Sequence, residues 1–447
     1  MNKRAFLFLN VDGTFLGIAQ RVQAEGHQVF CWYNDELKRE GCETGEGMVK
    51  LVDDPFDVIN DFKDKKNDLI ILVDDNSQGD LCDYLQSEGW KVIGSSHLAD
   101  ELEHDRGEGN KLAETLGLHL PPRQEFTDLQ SAKDYLTELA KKHPDAKLVF
   151  KGDGAKLAGG AKTYLSHDVA DMLWFIDWIE KDQATHHYEV EKCHIQLVID
   201  GLEVDYSVYF NGAQYAPALG VTFEQKRIHG LGAAQGCLGQ IFCWGEASKE
   251  PYFIKYFPKL QETIIGSNSA EWAINNIIDE KNQPYFLEFT PRFGWDAVIG
   301  QLALLEDAGK SIADFFIHLA DKLPFPRDYF PYYKYSIAVR LFSEGIGMEG
   351  KEVRGKPIHW SPEIEHNLWW YSLKMKDGDY QITDNPIGVA TACGNTIPEV
   401  MDKVYAMLDP KAGKLITPDL FYSETIGENV EGDIAKLKKK GWLNASY

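Results

Sequence analysis

Short apolar runs alternate with amphipathic segments over the first part of the chain. Residues 5–10 and 68–73 predict buried strands, and each is followed by a turn, a helix and another strand. This alternation predicts a parallel sheet, whose ligands bind at the carboxyl ends of the strands. The loops Asp12–Gly13 and Asp74–Gly79 are therefore candidate ligand loops, although tight turns in a Rossmann-like scaffold explain each of them equally well.

A longer helical pattern follows and leads into a glycine-rich stretch. The pattern over residues 98–122 predicts one helix that a glycine caps and two prolines stop. A strand, Lys147–Lys151, then ends in a lysine beside four glycines within nine residues. Backbone N–H groups of such a loop can close on phosphate oxygens, and the lysine adds positive charge. The Gly-Lys-Ser/Thr ending of a Walker loop is missing, and the alternative is a hairpin with flexible glycines, which explains the four glycines and the lysine less well.

The middle of the chain combines strands with a basic pair. Residues 194–212 predict two strands joined through Asp200–Gly201, and the second strand alternates apolar and polar positions. Further on, Lys226 and Arg227 precede a glycine-rich run. A basic pair beside glycines indicates a loop for a charged substrate, and a surface turn explains the same residues equally well.

Three polar side chains occupy every second position at the end of a predicted strand over residues 285–294. Because residues i and i+2 of a strand share a face, Glu288, Thr290 and Arg292 point into one site. A carboxylate at a strand end suits Mg²⁺, and an arginine fork suits a carboxylate or phosphate substrate. Taken alone, an edge strand with a surface ion pair is the more economical explanation.

Composition narrows the class of protein. At 447 residues the chain is too long for one hydrophobic core, so two to four domains are expected. The net charge of −24 argues against nucleic-acid and anionic-membrane partners. Seven dispersed cysteines are typical of reduced thiols in a cytoplasmic protein. The apolar run near residue 5 is too short for a signal peptide, and no run approaches membrane-spanning length.

Taken in order, these motifs resemble the ATP-grasp ligases, and most of all the glycinamide ribonucleotide synthetases (phosphoribosylamine–glycine ligases). Residues 288–294 are similar to the family's closing strand, Glu-x-Asn-x-Arg, and the Lys151 loop is similar to its small-lobe lid. The resemblance covers nearly the whole chain. It implies an α/β protein with the ATP-grasp fold, a Rossmann-like N-terminal domain with a parallel sheet and a small α+β C-terminal domain. The implied domains are 1–122 (N-terminal), 123–193 (small lobe), 194–325 (large lobe) and 326–447 (C-terminal).

The resemblance also implies roles for individual residues. The implied cofactors are ATP and Mg²⁺ or Mn²⁺. Nucleotide contacts are implied for Arg106, Lys151, Gly154, Gly159, Gly160, Gln196, Leu197, Val198 and Glu203. Metal contacts are implied for Glu288, Thr290 and Asn275, and catalytic or substrate contacts for Arg292, Lys226 and Arg227. Thr290 departs from the family asparagine, and Trp295–Asp296 stands where the synthetases have Asp-Pro-Glu.

The implied activity is ligation of a small carboxylate to an amine through an acyl phosphate, with ATP converted to ADP. The closest resemblance implies glycine and phosphoribosylamine as the substrates, in purine biosynthesis. Substrate-facing stretches such as residues 228–239 and 423–427 differ from that family. A ligase for another amino acid and another amine is therefore an alternative, as is a nucleotide-binding protein without catalysis. The chain is expected to be a monomer or a homodimer.

Overall fold

The computed structural model of the protein describes residues 3–11, 13–34, 43–153, 163–186, 190, 192–226, 237–267, 269–343 and 353–447. The strands are numbered in chain order. They are Ala5–Asn10 (β1), Gln28–Tyr33 (β2), Leu69–Val73 (β3), Lys91–Ile93 (β4), Arg123–Phe126 (β5), Leu148–Asp153 (β6), Thr163–Leu165 (β7), Lys192–Leu197 (β8), Gly201–Phe210 (β9), Ala218–Gln225 (β10), Gly239–Glu246 (β11), Ala270–Asp279 (β12), Pro284–Thr290 (β13), Tyr335–Ser343 (β14), His359–Trp360 (β15), Leu368–Trp370 (β16), Leu373–Lys376 (β17), Asp379–Ile382 (β18), Gly388–Gly394 (β19), Leu415–Ile416 (β20) and Leu420–Phe421 (β21).

The α-helices are numbered in the same way. They are Leu16–Ala24 (α1), Pro55–Asp61 (α2), Gly79–Ser87 (α3), His97–His104 (α4), Arg106–Leu116 (α5), Leu129–Lys142 (α6), Val169–His186 (α7), Pro251–Ile264 (α8), Trp295–Asp307 (α9), Ile312–Ala320 (α10), Ile397–Leu408 (α11) and Val430–Lys440 (α12). Among the described residues, no helix is both long enough and apolar enough to cross a membrane.

Backbone contacts divide the chain into two compact units. The first contains residues 1–117, 203–275 and 288–447, and the second contains residues 118–202 and 276–287. Strand β14, from the predicted C-terminal domain, pairs with β11 of the predicted large lobe. The four domain boundaries given above remain a prediction.

The first unit begins with a parallel sheet of order β2-β1-β3-β4, which confirms the predicted alternation. Both faces of this sheet are covered, so β1 is buried along its whole length. Phe8 packs in the same core as Ile18 of α1, whereas Leu7 packs with Ile59 of α2 and Leu85 of α3. The central strands therefore end at a buried edge where side chains from two loops can meet.

A larger sheet follows, with strands in the order β13-β12-β9-β10-β11-β14-β19-β16, and its pairs from β9 to β16 are antiparallel. Helix α9 packs on one face of it, and Val298 and Leu302 share a core with Phe242 of β11. Gln240 lies on the same face as Phe242, because the two are separated by one residue of a strand. Beyond the N-terminus of α9, the same face of the sheet carries polar side chains. The candidate site lies there.

The second unit is built on an antiparallel sheet of order β5-β8-β6-β7. Helices α6 and α7 cover one face, where Phe150 and Ile195 pack with Leu136 and Ile176. The next residues along the strands point to the opposite face.

One sequence prediction about an element boundary was wrong. The helix predicted over residues 98–117 is two helices, α4 and α5, because Asp105 adopts an extended conformation between them. The Asp105 carboxylate accepts hydrogen bonds from the N–H groups of Gly107 and Glu108 at 2.8 and 3.2 Å, so it caps the second helix.

Candidate functional site

The three residues implied as metal ligands lie together in the first unit. Glu288 and Thr290 share one face of β13, and Asn275 lies on the neighbouring strand β12. The Asn275 Nδ2 atom is 3.4 Å from Glu288 Oε1 and 3.3 Å from Thr290 Oγ1. Glu288 and Thr290, which the period of two placed on one face, therefore lie beside Asn275, which the resemblance implied as a third ligand.

The donor set fits a hard divalent cation. Glu288 offers a carboxylate, Thr290 offers a hydroxyl, and a half-turn of the Asn275 amide would offer its oxygen to the same point. Mg²⁺ takes oxygen ligands and fills its remaining positions with phosphate and water oxygens. Among the described residues, no group of three or more acidic, histidine or cysteine side chains could hold a metal alone. These three side chains thus suit an ion that a phosphate ligand brings with it.

Arg292 is held between two carboxylates. Its Nε atom is 3.0 Å from Asp75 Oδ1, and its Nη2 atom is 3.1 Å from Glu103 Oε1. Its Nη1 atom donates to the carbonyl of Phe293 at 3.2 Å. Burial raises the pKa of the Glu103 carboxyl to about 7, although the guanidinium beside it acts in the opposite direction. These contacts orient the guanidinium at the wall of the cavity that Glu288 also lines.

Lys226 lies in an acidic environment on the same face. Its ammonium group is 2.7 Å from Glu203 Oε1 and 3.2 Å from Glu224 Oε2. Burial alone would lower the pKa of Lys226, but nearby carboxylates outweigh that effect and hold the pKa well above its ordinary value. Glu203, the residue implied to bind ribose hydroxyls, is thus an ion-pair partner of Lys226. The other member of the basic pair, Arg227, lies outside the described residues.

These side chains open onto a cavity of about 260 Å³. Further polar residues that the sequence analysis did not select also line it, from strands β9 to β12. They are Asp205, Ser207, Thr222, Glu224, Gln240 and Glu271. Asp205 and Ser207 alternate along β9, and Thr222 and Glu224 alternate along β10. The sequence signal that could have identified these residues is a polar residue at every second position of an otherwise apolar strand.

A buried hydrogen-bond network fixes the turn that carries Arg292. Glu271 accepts from the Gly294 N–H at 3.0 Å and from Gln301 Nε2 at 2.5 Å, and the Tyr209 hydroxyl donates to the side-chain Oε1 of Gln301. Burial raises the pKa of Glu271, and these two donors act in the opposite direction. The network ties β12 to the start of α9, so the turn between β13 and α9 is held rigidly.

Asp296, in the first turn of α9, also stabilises the turn between β13 and α9. Its carboxylate receives two guanidinium nitrogens of Arg340, with Nε–Oδ2 and Nη2–Oδ1 distances of 2.9 Å. The Tyr371 hydroxyl donates to Asp296 at 3.0 Å, and the Arg340 guanidinium lies 4.9 Å from the ring centroid of Trp295. Asp296, one of the two residues that differ from the family pattern, is therefore held in a buried ion pair and does not present a free acid to a substrate.

The candidate ligand loops of the parallel sheet are joined by a carboxylate of the protein itself. Asp74, at the end of β3, accepts from the N–H groups of Val11, Gly13 and Thr14 at 2.7, 2.9 and 3.1 Å. Backbone N–H groups arranged in this way are a common phosphate-binding device. Because Asp74 occupies them, a phosphate at this loop would have to displace a buried carboxylate and would meet its negative charge.

Replacing Asp74 with asparagine is expected to lower the free energy of unfolding by about 1.5–3 kcal/mol, since a charged acceptor is lost and an NH₂ group faces N–H donors. Asp74 is 1% exposed, so water cannot take over its role. Urea denaturation of Asp74→Asn, compared with the exposed Asp61→Asn control, measures the loss. Equal midpoints for the two variants would contradict the role assigned to Asp74.

The second unit contains several residues implied to contact the nucleotide. Lys151 lies on β6, and Gln196 of β8 pairs with Val149, so both side chains lie on the same sheet face. The N–H groups of Leu197 and Val198 donate to the carbonyls of Pro122 and Lys147 at 3.0 and 3.1 Å. Gln196 and Leu197 line a cavity of about 660 Å³.

The remaining residues implied to contact the nucleotide lie in the first unit or outside the described residues. Arg106 is the first residue of α5, in the first unit, and is half-buried. Gly154, Gly159 and Gly160 lie outside the described residues. The roles of these residues remain predictions.

Comparison with known proteins gives matches among solved structures. No protein-family model and no curated protein sequence matches the chain. Phosphoribosylamine–glycine ligase from Thermotoga maritima has a TM-score of 0.68 and 17% identity, over 94% of this chain and 100% of that one. The biotin carboxylase domain of 2-oxoglutarate carboxylase from Hydrogenobacter thermophilus, solved with MgADP and bicarbonate, has a TM-score of 0.64 and 14% identity, over 99% and 96% of the two chains.

A third matching structure is named for a different activity. The L-amino acid ligase from Bacillus licheniformis has a TM-score of 0.58 and 13% identity, over 95% of this chain and 100% of that one. At these identities the likeness establishes the fold. The chain has the ATP-grasp fold, as the order of its motifs predicted, and it matches along nearly its whole length.

Proposed function

We propose that the protein is an ATP-dependent ligase that joins a small carboxylate to an amine. The observation that carries this proposal is the meeting of Glu288, Thr290 and Asn275 at one cavity with Arg292, in a chain with the ATP-grasp fold. Phosphoryl transfer to a carboxylate needs oxygen ligands for a metal ion that the phosphates bind. It also needs a positively charged side chain for the anionic substrate.

The proposed reaction has two steps. A carboxylate oxygen attacks the γ-phosphorus of ATP, the bond to the bridging oxygen breaks, and an acyl phosphate and ADP form. The amine nitrogen then attacks the acyl carbon, the bond to the phosphate oxygen breaks, and an amide, inorganic phosphate and a proton result. Arg292 orients the carboxylate and offsets charge on the transferred group. Glu288, Thr290 and Asn275 would hold Mg²⁺, which supplies charge neutralisation to the phosphates when bound.

Nucleotide contacts complete the proposal. Lys151 is assigned to the phosphates, and Gln196, on the same sheet face, is assigned to the adenine end together with backbone atoms of Leu197 and Val198. Glu203 is assigned to the ribose, which requires that it exchange its contact with Lys226 for the ribose hydroxyls. The glycine loop after Lys151 is assigned to covering the phosphates and keeping water from the acyl phosphate.

Glycine and phosphoribosylamine are the first substrate pair to test, because a phosphoribosylamine–glycine ligase is among the matching structures. That pair would give the protein a role in purine biosynthesis in the cytoplasm. One observation favours a second pair, in which the amine carries no phosphate. Asp74 already occupies the backbone N–H groups that close the parallel-sheet loops, and it would repel a phosphate there.

Release of ADP is expected to require MgATP, an acid and an amine together. The assay sets MgATP against the twenty protein amino acids, each with phosphoribosylamine generated in place, with a second amino acid, or with no amine. Hydroxylamine in place of the amine should trap the acyl phosphate as a hydroxamate. ADP and phosphate in equal amounts, dependent on both substrates, support the ligase. Tight ATP binding with no ADP release across the array would instead make the protein a non-catalytic nucleotide binder.

A further inference from the structure

The ammonium group of Lys226 is shared between two carboxylates that differ in their position. Glu224 lines the cavity beside Glu288, whereas Glu203 lies outside that lining, near the start of β9. The Lys226 Nζ atom is 2.7 Å from Glu203 Oε1 and 3.2 Å from Glu224 Oε2. The Glu203 side chain is 41% exposed and the Glu224 side chain is 20% exposed, so Glu203 is the partner that a ligand reaches more easily.

Strand pairing keeps the two carboxylates on one surface. Asp205 of β9 is opposite Thr222 of β10, and Glu203 and Glu224 each lie two positions from one of these residues. Directly opposite residues share a face, and so do residues two apart on one strand. The two acids therefore lie on the same face of the sheet, and Lys226 can keep one contact while it loses the other.

The two acids more than neutralise the charge of Lys226. Burial lowers the pKa of Lys226, but the nearby carboxylates outweigh that effect and hold the pKa well above its ordinary value, so the ammonium group is charged. One ammonium group between two carboxylates carries a net negative charge. An anion that approaches Lys226 is therefore repelled as long as both contacts persist.

A ribose at Glu203 would change this balance. Two neighbouring hydroxyl groups can both donate to one carboxylate, and they would compete with Lys226 for the Glu203 oxygen that it now contacts. Lys226 would then keep only Glu224, and that pair has no net charge. The guanidinium of Arg292 lies at the wall of the same cavity. An anion in the cavity would thus meet two cationic groups, one of which the ribose has released.

We propose that Lys226 is an anion-binding residue that the ribose of the nucleotide unmasks by taking Glu203 from it. This inference rests on the proposed function for the assignment of Glu203 to the ribose. Coupling of this kind is reciprocal, so an anion at Lys226 also tightens the binding of the nucleotide. Glu203 is then a positioning residue that acts through Lys226, and the anionic substrate binds well only when the nucleotide is present.

Calorimetry of the full-length protein, with inorganic phosphate as the anion and adenosine as the nucleoside, tests the proposal without turnover. Saturating adenosine is expected to tighten phosphate binding about 5- to 50-fold, which lies within the usual range of coupling between two sites. The matched control is 2′,3′-dideoxyadenosine, which lacks both ribose hydroxyls and should leave phosphate binding unchanged. This comparison uses the wild-type protein, so it does not depend on the folding of any variant.

Three variants identify the residues responsible. Glu203→Gln is expected to bind phosphate without adenosine as tightly as the wild type does with it, and adenosine should have no further effect. A structural role for Glu203 would instead weaken phosphate binding in this variant. Lys226→Met should bind phosphate weakly under both conditions, because the unmasked cation is absent. Glu262→Gln, an exposed replacement of the same kind on α8, should behave as the wild type.

Four results would overturn the proposal: adenosine binds without changing phosphate affinity, phosphate does not bind even with adenosine, coupling persists in Lys226→Met, or Glu203→Gln leaves phosphate affinity unchanged. Adenosine binding without coupling rejects this inference alone and retains the ligase. Coupling in a protein that forms no ADP in the substrate array would do the reverse. Failure of adenosine to bind would reject both this inference and the assignment of Glu203 to the ribose.

Discussion

Glu288→Gln is expected to lower kcat for ADP formation about 100- to 1,000-fold, the usual cost of removing one preorganised group that stabilises charge in the transition state. The effect should be large because Glu288 is the charged member of the set that includes Thr290 and Asn275. The other two members of the set offer a hydroxyl and an amide, which are neutral. Loss of the carboxylate therefore leaves two neutral oxygens to hold the ion.

The measurement is steady-state ADP release as a function of Mg²⁺ concentration, with the substrate pair found in the array. Glu262→Gln, an exposed replacement of the same kind on α8, should retain full activity. The Glu288 variant should also need more Mg²⁺ for half-maximal rate, while its denaturation midpoint stays close to that of the wild type. An unchanged kcat at saturating Mg²⁺ would remove Glu288 from the catalytic machinery.

The parts of the site that were predicted are those that strand geometry determines. Glu288, Thr290 and Arg292 were placed on one face by a period of two, and the structure puts Glu288 and Thr290 beside Asn275 of the next strand. The parallel sheet followed from alternating apolar strands and helices in the same way. The spacing of polar and apolar residues along a strand or helix indicates on which face each side chain lies. A single sequence contains that information.

The features of the site that the sequence did not predict are contacts between charged or polar groups that lie far apart in the chain. Asp74 bonds to N–H groups about sixty positions earlier in the chain, with a separation of 61 residues for Gly13. Arg292 meets Glu103 over 189 residues. Periodicity assigns each of these residues to a face or a loop, but many acids are available for each arginine. The choice among them is made by packing, which the pattern does not encode.

For two of the missed features the sequence contained a local signal, but other patterns in the same residues favoured a different prediction. Asp105 is a good N-cap residue, and Glu108 follows three positions later, so the start of α5 was recognisable in the sequence. The continuous run of helix-forming residues on both sides favoured one helix over two. The alternating polar positions of β9 and β10 were likewise visible, but ordinary solvent-facing strands show the same alternation.

Asp296→Asn is expected to lower the free energy of unfolding by about 3–5 kcal/mol, since it leaves a buried guanidinium without its counter-charge. The side chains of Arg340 and Asp296 are 3% and 0% exposed, so water cannot solvate the remaining charge. Burial alone would lower the pKa of Arg340, but the Asp296 carboxylate outweighs that effect and holds the pKa above its ordinary value, so this carboxylate is what stabilises the buried charge. The asparagine also loses the second oxygen of the two-point contact.

A double-mutant cycle in urea separates loss of the pair from loss of packing. Arg340→Met should also destabilise the protein, because it leaves Asp296 buried with the Tyr371 hydroxyl as a partner. The Asp296→Asn, Arg340→Met double variant should be more stable than the sum of the single losses predicts, because no buried charge remains unpaired. Glu399→Gln, in the exposed pair with Lys403, is the control and should change little. Additive losses in the cycle would show that Asp296 and Arg340 stabilise the turn independently, and the charge pairing would then not be what holds Arg292 in position.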